Sequence, residues 1–166
     1  MTTLTRKQFF RGGIARMIRA FTTPAPIRPP GARSEDAFLD LCTRCDDCVK
    51  ACPEWVIRKS AADGTPTIVP AENPCIMCEG FPCIAACTTG ALRMPDGRVS
   101  IGAAVVDAAR CYQAQGQPCD YCVKECPERP RAIVAGSPPR VRVDLCTGCG
   151  KCAQICPPRA VRIEAP

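Results

Sequence analysis

The sequence predicts an α+β fold built from small repeated modules, each with short helices and a two-stranded sheet. Three observations lead there. The chain of 166 residues holds 16 cysteines, about 9.6% of the total and near the level that marks a cysteine-built scaffold. Those cysteines fall into four groups of four. Short β-rich segments flank the groups, while the aliphatic residues are scattered among 18 prolines. A chain of this length ordinarily closes around one hydrophobic core or two small ones. Here a group bound to the cysteines must supply part of that core.

Residues 1–34 form the first region. Arg6, Lys7, Arg11, Arg16, Arg19, Arg28 and Arg33 give residues 1–33 seven positive charges and no acid, so the formal +6 of the chain sits in this tail. Ile14, Met17, Ile18 and Phe21 fall at helical spacing with arginines between them, which predicts a short amphipathic helix able to lie on an anionic membrane surface or in a partner's groove. Nucleic acid is not expected as a partner, because the rest of the chain offers no basic stripe. Thr5-Arg6-Lys7-Gln8-Phe9-Phe10 resembles a twin-arginine export motif with lysine in place of the second arginine. Arg11, Arg16 and Arg19 then interrupt the apolar stretch of roughly 7–15 residues that a cleavable signal needs. The expectation is a retained segment and a cytoplasmic protein, membrane-associated through its tail; export to the periplasm by a degenerate signal is the alternative. Residues 22–34 read as a proline-rich, extended linker.

Residues 35–166 form the second region, and its order is set by the cysteines. Cys42, Cys45, Cys48 and Cys52 make the first group; Cys75, Cys78, Cys83 and Cys87 the second. Cys111, Cys119, Cys122 and Cys126 make the third; Cys146, Cys149, Cys152 and Cys156 the fourth. The first and fourth align without a gap at an offset of 104 residues, from Asp40-Leu41-Cys42-Thr43 and Asp144-Leu145-Cys146-Thr147 through Cys52-Pro53 and Cys156-Pro157. Val49-Lys50-Ala51 is helix-compatible, and strands are predicted at 67–69, 99–101, 141–143 and 161–163 by their β-branched residues.

Cys-x2-Cys-x2-Cys-x3-Cys-Pro is the bacterial ferredoxin run for a 4Fe–4S cluster. Three closely spaced thiolates face one cluster, while the fourth, on the short helix that follows, serves another cluster. Proline after it stops that helix. The second group widens one gap with Glu79-Gly80-Phe81-Pro82 and lacks the proline; the third widens its first gap and keeps Pro127. Four clusters, with all 16 cysteines as ligands, follow from four complete groups. The alternatives are zinc and disulfides. With no histidine in the chain, only all-cysteine zinc sites remain, and paired knuckles favour CxxC pairs separated by longer loops. Cysteines this close rarely bond to each other, and disulfides need an oxidising compartment.

Crossed fourth ligands require clusters in pairs. The near-identity of the outer groups favours a nested arrangement, group 1 with group 4 and group 2 with group 3; a tandem arrangement is the alternative. Trp55, Tyr112 and Tyr121 are expected to pack over clusters as solvent shields, and Arg44 and Lys151 to be solvated surface charges.

The chain resembles the NapF, NapG and MauM group of ferredoxin-type proteins over nearly its whole length. Arg6-Lys-Gln-Phe-Phe-Arg-Gly12, Arg28-Pro-Pro-Gly-Ala32, Phe38-Leu39, Pro74-Cys-Ile-Met-Cys-Glu-Gly-Phe-Pro-Cys83, Thr89-Gly-Ala-Leu92, Ile101-Gly-Ala103 and Cys146-Thr-Gly-Cys-Gly-Lys-Cys152 carry that resemblance. It implies an accessory of periplasmic nitrate reductase or a related system, with a redox protein as partner: a molybdoenzyme or a membrane quinol-oxidising protein. NapG-like members are exported, and NapF-like members stay in the cytoplasm.

No segment approaches the roughly 18 consecutive apolar residues of a membrane-spanning helix. No nucleophile–base arrangement or glycine-rich phosphate loop appears. The expected function is therefore electron relay without substrate chemistry, with two alternatives: a maturation factor for a molybdoenzyme, or a fixed iron–sulfur subunit of a larger oxidoreductase. An oxidised cluster with four thiolates carries about −2, so four of them turn the formal +6 into about −2.

Overall fold

Five short helices and three two-stranded antiparallel sheets appear in the computed structural model, which describes residues 25–128 and 130–166. In chain order they are α1 (Glu35–Leu41), α2 (Asp47–Lys50), β1 (Ile57–Lys59), β2 (Pro66–Ile68), α3 (Pro82–Ala85) and β3 (Ala103–Val106). There follow α4 (Tyr121–Lys124), β4 (Ile133–Val134), β5 (Arg140–Val141), α5 (Lys151–Gln154) and β6 (Val161–Glu164). The amphipathic helix expected around Ile14, Met17, Ile18 and Phe21 lies outside the described residues.

The elements form two modules of one plan. In the first, β1 and β2 pair with Ile57 opposite Ile68. Both of these are buried while Arg58 and Lys59 are exposed, and β2 shows the alternation of a half-buried strand, with Pro66 and Ile68 buried and Thr67 between them half-buried. The module is closed by two non-consecutive segments: the Arg33 N–H donates to the Ala91 carbonyl (3.2 Å) and the Arg93 N–H to the Gly31 carbonyl (2.8 Å). Gly31 sits at φ 75, and a Cβ there would lie 2.5 Å from the Arg93 oxygen and 2.7 Å from Ile84 Cδ1, so the crossing demands glycine. The second module repeats the scheme. A β4–β5 pair forms the inner hairpin, and β3 and β6 close the module, with Ala103 opposite Glu164 and Val106 opposite Val161.

Residues 25–34 therefore depart from the expected linker. Ile27, Arg28, Pro29 and Pro30 are buried, and the Ile68 N–H donates to the Ile27 carbonyl (2.8 Å). This stretch is an edge of the first module, so the folded domain takes in residues 25–34 as well. Proline suits it because an edge needs fewer N–H donors. The strand predicted at 99–101 lies instead at β3, where pairing with β6 selects it; Val99 and Ile101 are buried outside any strand.

Each module has its own core. Phe38, Val56, Ile57, Ile68, Ile84 and Leu92 pack with Cys48, Cys52, Cys75 and Cys83 in the first. Ala104, Ile133, Ala153 and Val161 pack with Cys152 in the second. The modules meet where the Cys75 N–H donates to the Cys149 carbonyl (2.8 Å) and the Ile101 N–H to the Thr147 carbonyl (2.9 Å). Gly150 faces Pro70 there so closely that a Cβ would collide with it.

Candidate metal centres

The cysteine loops are bent by left-handed residues at repeating positions. Arg44 (φ 62), Met77 (φ 52) and Gly148 (φ 72) each stand two residues after the first cysteine of their group. Asp46 (φ 69), Phe81 (φ 43) and Gly150 (φ 87) each stand two residues before the third and open the short helix that carries it. Trp55 (φ 53), Gly90 (φ 75) and Arg159 (φ 50) each stand three residues after the fourth. Such residues cost backbone energy unless the surroundings fix them. Their recurrence shows one loop shape used repeatedly to turn successive sulfurs inward.

Four quartets result, and each draws three sulfurs from one group and one from its neighbour. Cys42, Cys45, Cys48 and Cys87 line a cavity under Phe38 and Leu92, here called site 1. Cys75, Cys78, Cys83 and Cys52 line site 2, beneath Pro30, Val56 and Phe81. Cys111, Cys119, Cys122 and Cys156 line site 3, with Tyr112 and Tyr121 in its wall. These three spaces are nearly equal, about 370, 330 and 340 Å³ including their open mouths. Site 4 is marked by Cys152, which feels the charges of Cys149, Cys146 and Cys126 together with that of Cys122 from site 3.

This grouping corrects the nested expectation. Group 1 shares its fourth cysteine with group 2, and group 3 with group 4; no quartet among the described residues combines group 1 with group 4.

Burial dominates the thiol chemistry. It pushes Cys48, Cys75 and Cys122 up to about 11 and Cys83 up to about 12, and in each case neighbouring thiolates add to the rise. Cys78, Cys149 and Cys152 move the same way, again chiefly by desolvation. Such sulfurs hold their protons until a positively charged group displaces them. Cys87 is the exception. Its burial would raise it, but hydrogen bonds from the Leu92 N–H (3.3 Å) and with Thr89 Oγ1 (3.6 Å) outweigh that and hold it below the ordinary thiol value. Similar backbone donors reach Cys156 from Ala160 (3.2 Å) and Cys146 from Ala104 (3.5 Å).

The donor set fits a cluster better than a single ion. No disulfide joins any of the 16 cysteines. A zinc ion takes each sulfur at about 2.3 Å, which gathers the four tightly around one point. Among the described residues no three Cys, Asp or Glu side chains converge closely enough to hold one metal ion. The quartets instead surround a space, as four corners of a cubane require.

Of two further expectations one changes and the other, for Arg44 and Lys151, holds. Trp55 is 70% exposed; it occupies the left-handed turn after Cys52 and stands outside the wall of site 2, whereas Tyr112 and Tyr121 do border site 3. Arg44 is exposed and donates to the Asp63 carbonyl (2.8 Å), and Lys151 reaches Gln154 Oε1 (3.3 Å) at the surface. The sulfur-directed amides at Leu92, Ala104 and Ala160 had no signature in the sequence, since any residue supplies an N–H.

Comparison with known proteins agrees with this geometry. A 4Fe-4S dicluster domain model matches residues 41–92, which hold groups 1 and 2 together, and a 4Fe-4S binding domain model matches residues 139–162. The ferredoxin-type protein NapG of Escherichia coli (strain K12) is 39% identical over 152 residues, covering 78% of this chain and 65% of that one. The methylamine utilization ferredoxin-type protein MauM of Methylorubrum extorquens is 42% identical over 148 residues, covering 78% and 67%. The ferredoxin-type protein NapF of Escherichia coli (strain K12) is 34% identical over 149 residues, covering 83% and 84%. The chain thus spans just under two thirds of the length of NapG. No solved structure matches it.

Proposed function

The chain belongs to the NapG, MauM and NapF group of ferredoxin-type iron–sulfur proteins, and from that premise we propose that it relays single electrons between protein redox partners through four 4Fe–4S clusters. The observation that carries this reading is the crossing of ligands: Cys52 stands with Cys75, Cys78 and Cys83, and Cys87 with Cys42, Cys45 and Cys48. Paired quartets made this way place two redox centres on opposite sides of the same short helices, α2 and α3, which pack together. Helices α4 and α5 do the same for sites 3 and 4.

A bound 4Fe–4S cluster supplies one-electron oxidation and reduction. Everything else is done by the chain. The 16 cysteine sulfurs hold the clusters in place. Phe38, Pro30, Val56 and Phe81 exclude water from sites 1 and 2. The amides of Leu92, Ala104 and Ala160 place positive dipole ends against ligand sulfurs, which stabilises the extra negative charge of the reduced state. No group of the chain is assigned substrate chemistry.

The partners we propose are redox proteins, a molybdoenzyme or a membrane quinol-oxidising protein among them. We also propose a cytoplasmic location, on the ground that Arg11, Arg16 and Arg19 break the apolar stretch after Arg6-Lys7. A reporter fused after residue 34 and active only on export would overturn the location.

The test of the central reading is anaerobic purification with iron, sulfide and zinc analysis. About 16 iron and 16 sulfide per chain are expected; stoichiometric zinc, or iron near zero in protein that is folded, overturns it. Cys45→Ser should then remove the signal of one cluster, and an unchanged iron content and EPR spectrum would refute the ligand assignment.

A further inference from the structure

The two modules touch where Ile163 and Ala165 pack on the first core and where Ile101 meets Thr147, but among the described residues the one hydrogen bond between cluster ligands across that contact joins only two of the four sites. The Cys75 N–H donates to the carbonyl of Cys149 at 2.8 Å, so a ligand of site 2 is hydrogen-bonded directly to a ligand of site 4. Around that bond, Gly150 packs against Pro70, and Gln154 Nε2 reaches the Glu72 carbonyl (3.4 Å). All four of these residues lie within five positions of Cys75 or Cys149. Among the described residues no ligand of site 1 or site 3 makes a hydrogen bond to the other module. The walls of site 1 come only from residues 38–92 and those of site 3 only from residues 106–161. Within each module the crossed cysteines join the sites in pairs, 1 with 2 and 3 with 4.

We propose that the four sites stand in the order 1–2–4–3, so that an electron passes between the modules only between the Cys52/75/78/83 and Cys126/146/149/152 quartets, across the Cys75–Cys149 bond. This rests on the four-cluster reading above. The step is a single electron transfer. The group held by one quartet is oxidised by one electron and the group held by the other is reduced by one; no bond forms or breaks and no proton moves. The electron comes from a one-electron protein donor at one terminal site and leaves to a one-electron protein acceptor at the other. Outer-sphere transfer weakens steeply with distance, which makes the linking pair the step on which passage through the whole chain depends.

The experiment is EPR of the dithionite-reduced protein in two double variants. Cys45→Ala with Cys119→Ala removes sites 1 and 3 and leaves the junction pair. Cys78→Ala with Cys149→Ala removes sites 2 and 4 and leaves the terminal pair. Each should retain about eight iron per chain. The junction pair should show a spectrum split by spin–spin interaction and fast relaxation, while the terminal pair should show two unsplit, slowly relaxing signals. A folded variant holding iron far from eight overturns the four-cluster reading. Eight iron with the terminal pair coupled as strongly as the junction pair overturns the order alone. Should a double variant not fold, single variants decide. Cys78→Ala should strand site 1 as an isolated, slowly relaxing signal, and Cys45→Ala should strand none; the reverse, or no difference, overturns the order.

Discussion

Arg28 lays its guanidinium over the ring of Phe38, 4.7 Å from the ring centroid, while the same group forks onto the Glu35 carboxylate at 2.9 and 2.6 Å. Its remaining nitrogen donates to Thr65 Oγ1 (2.7 Å) and the Pro66 carbonyl (3.0 Å). One side chain thus ties the edge segment 25–34 to helix α1 and to the β1–β2 hairpin, directly above the wall of site 1.

Arg28→Met keeps much of the length and loses every one of those bonds. Thr65 is fully buried, but its hydroxyl keeps its bond to Asp63 Oδ1 (2.7 Å), so the larger cost falls on the Pro66 carbonyl, at about 1–3 kcal/mol for a buried acceptor that loses its donor. The half-exposed Glu35 limits what the ion pair adds. The expected loss is about 2–4 kcal/mol, read as a lower guanidinium midpoint for the cluster-loaded protein. Arg28→Lys should recover only part of it, because an ammonium cannot fork. A shift under about 0.5 kcal/mol for Arg28→Met would show the network to be surface decoration.

Cys87→Ala distinguishes tandem from nested pairing. In the tandem arrangement Cys87 belongs to site 1, so this variant and Cys45→Ala should abolish the same EPR component. Nested pairing would make Cys87→Ala resemble Cys119→Ala instead. Comparing the three reduced spectra settles it.

Thr89→Val removes the hydroxyl 3.6 Å from Cys87 Sγ and keeps the shape. A hydrogen bond to a ligand sulfur favours the more negative, reduced cluster. The reduction potential of site 1 should therefore fall while iron content and stability hold. An equal or higher potential in a redox titration would refute the role of Thr89.

Alkaline pH should destabilise the chain once its metal is removed. Burial holds Cys48, Cys75 and Cys122 near 11 and Cys83 near 12, against an ordinary value of 9.0. Between these limits the unfolded chain has released protons that the fold retains, so stability is full below about pH 9 and falls as pH rises towards 11–12. Cluster-loaded protein, whose sulfurs are already deprotonated, should lack this slope. Urea midpoints of both forms at pH 8 and pH 10.5 check the prediction; parallel slopes would refute it.

The cysteine spacing, the chemistry it implies and the module plan could be read from the residues, because a ferredoxin run is a local pattern and one loop makes it. The pairing could not. Groups 1 and 4 are alike because Arg44 and Gly148, and Asp46 and Gly150, occupy the same left-handed positions in the same turn, and likeness of local shape says nothing of which loops are neighbours. Neighbourhood follows the connection: the β1–β2 hairpin folds group 2 back onto group 1, and closing that short loop costs less entropy than closing one of about a hundred residues. The segment 25–34 was hidden for a related reason. Its prolines read as a spacer, and only its partners, Ile68 and Leu92, reveal an edge strand. Trp55 misled in the opposite direction, since bulk suggested burial where the backbone required a turn.

The crossing of the fourth cysteines also sets an order of manufacture. Site 1 has three sulfurs once Cys48 has been made, yet it stays open until Cys87 arrives, whereas site 2, which already holds Cys52, is complete four residues earlier at Cys83. The two centres of the first module are thus finished within four residues of each other, and residues 91–93 seal them before β3 exists. Site 4 is likewise complete at Cys152 and site 3 at Cys156, just ahead of β6. On the proposed four-cluster reading, a nascent chain of this design offers metal-loading machinery two discrete handoffs of two clusters, not four of one.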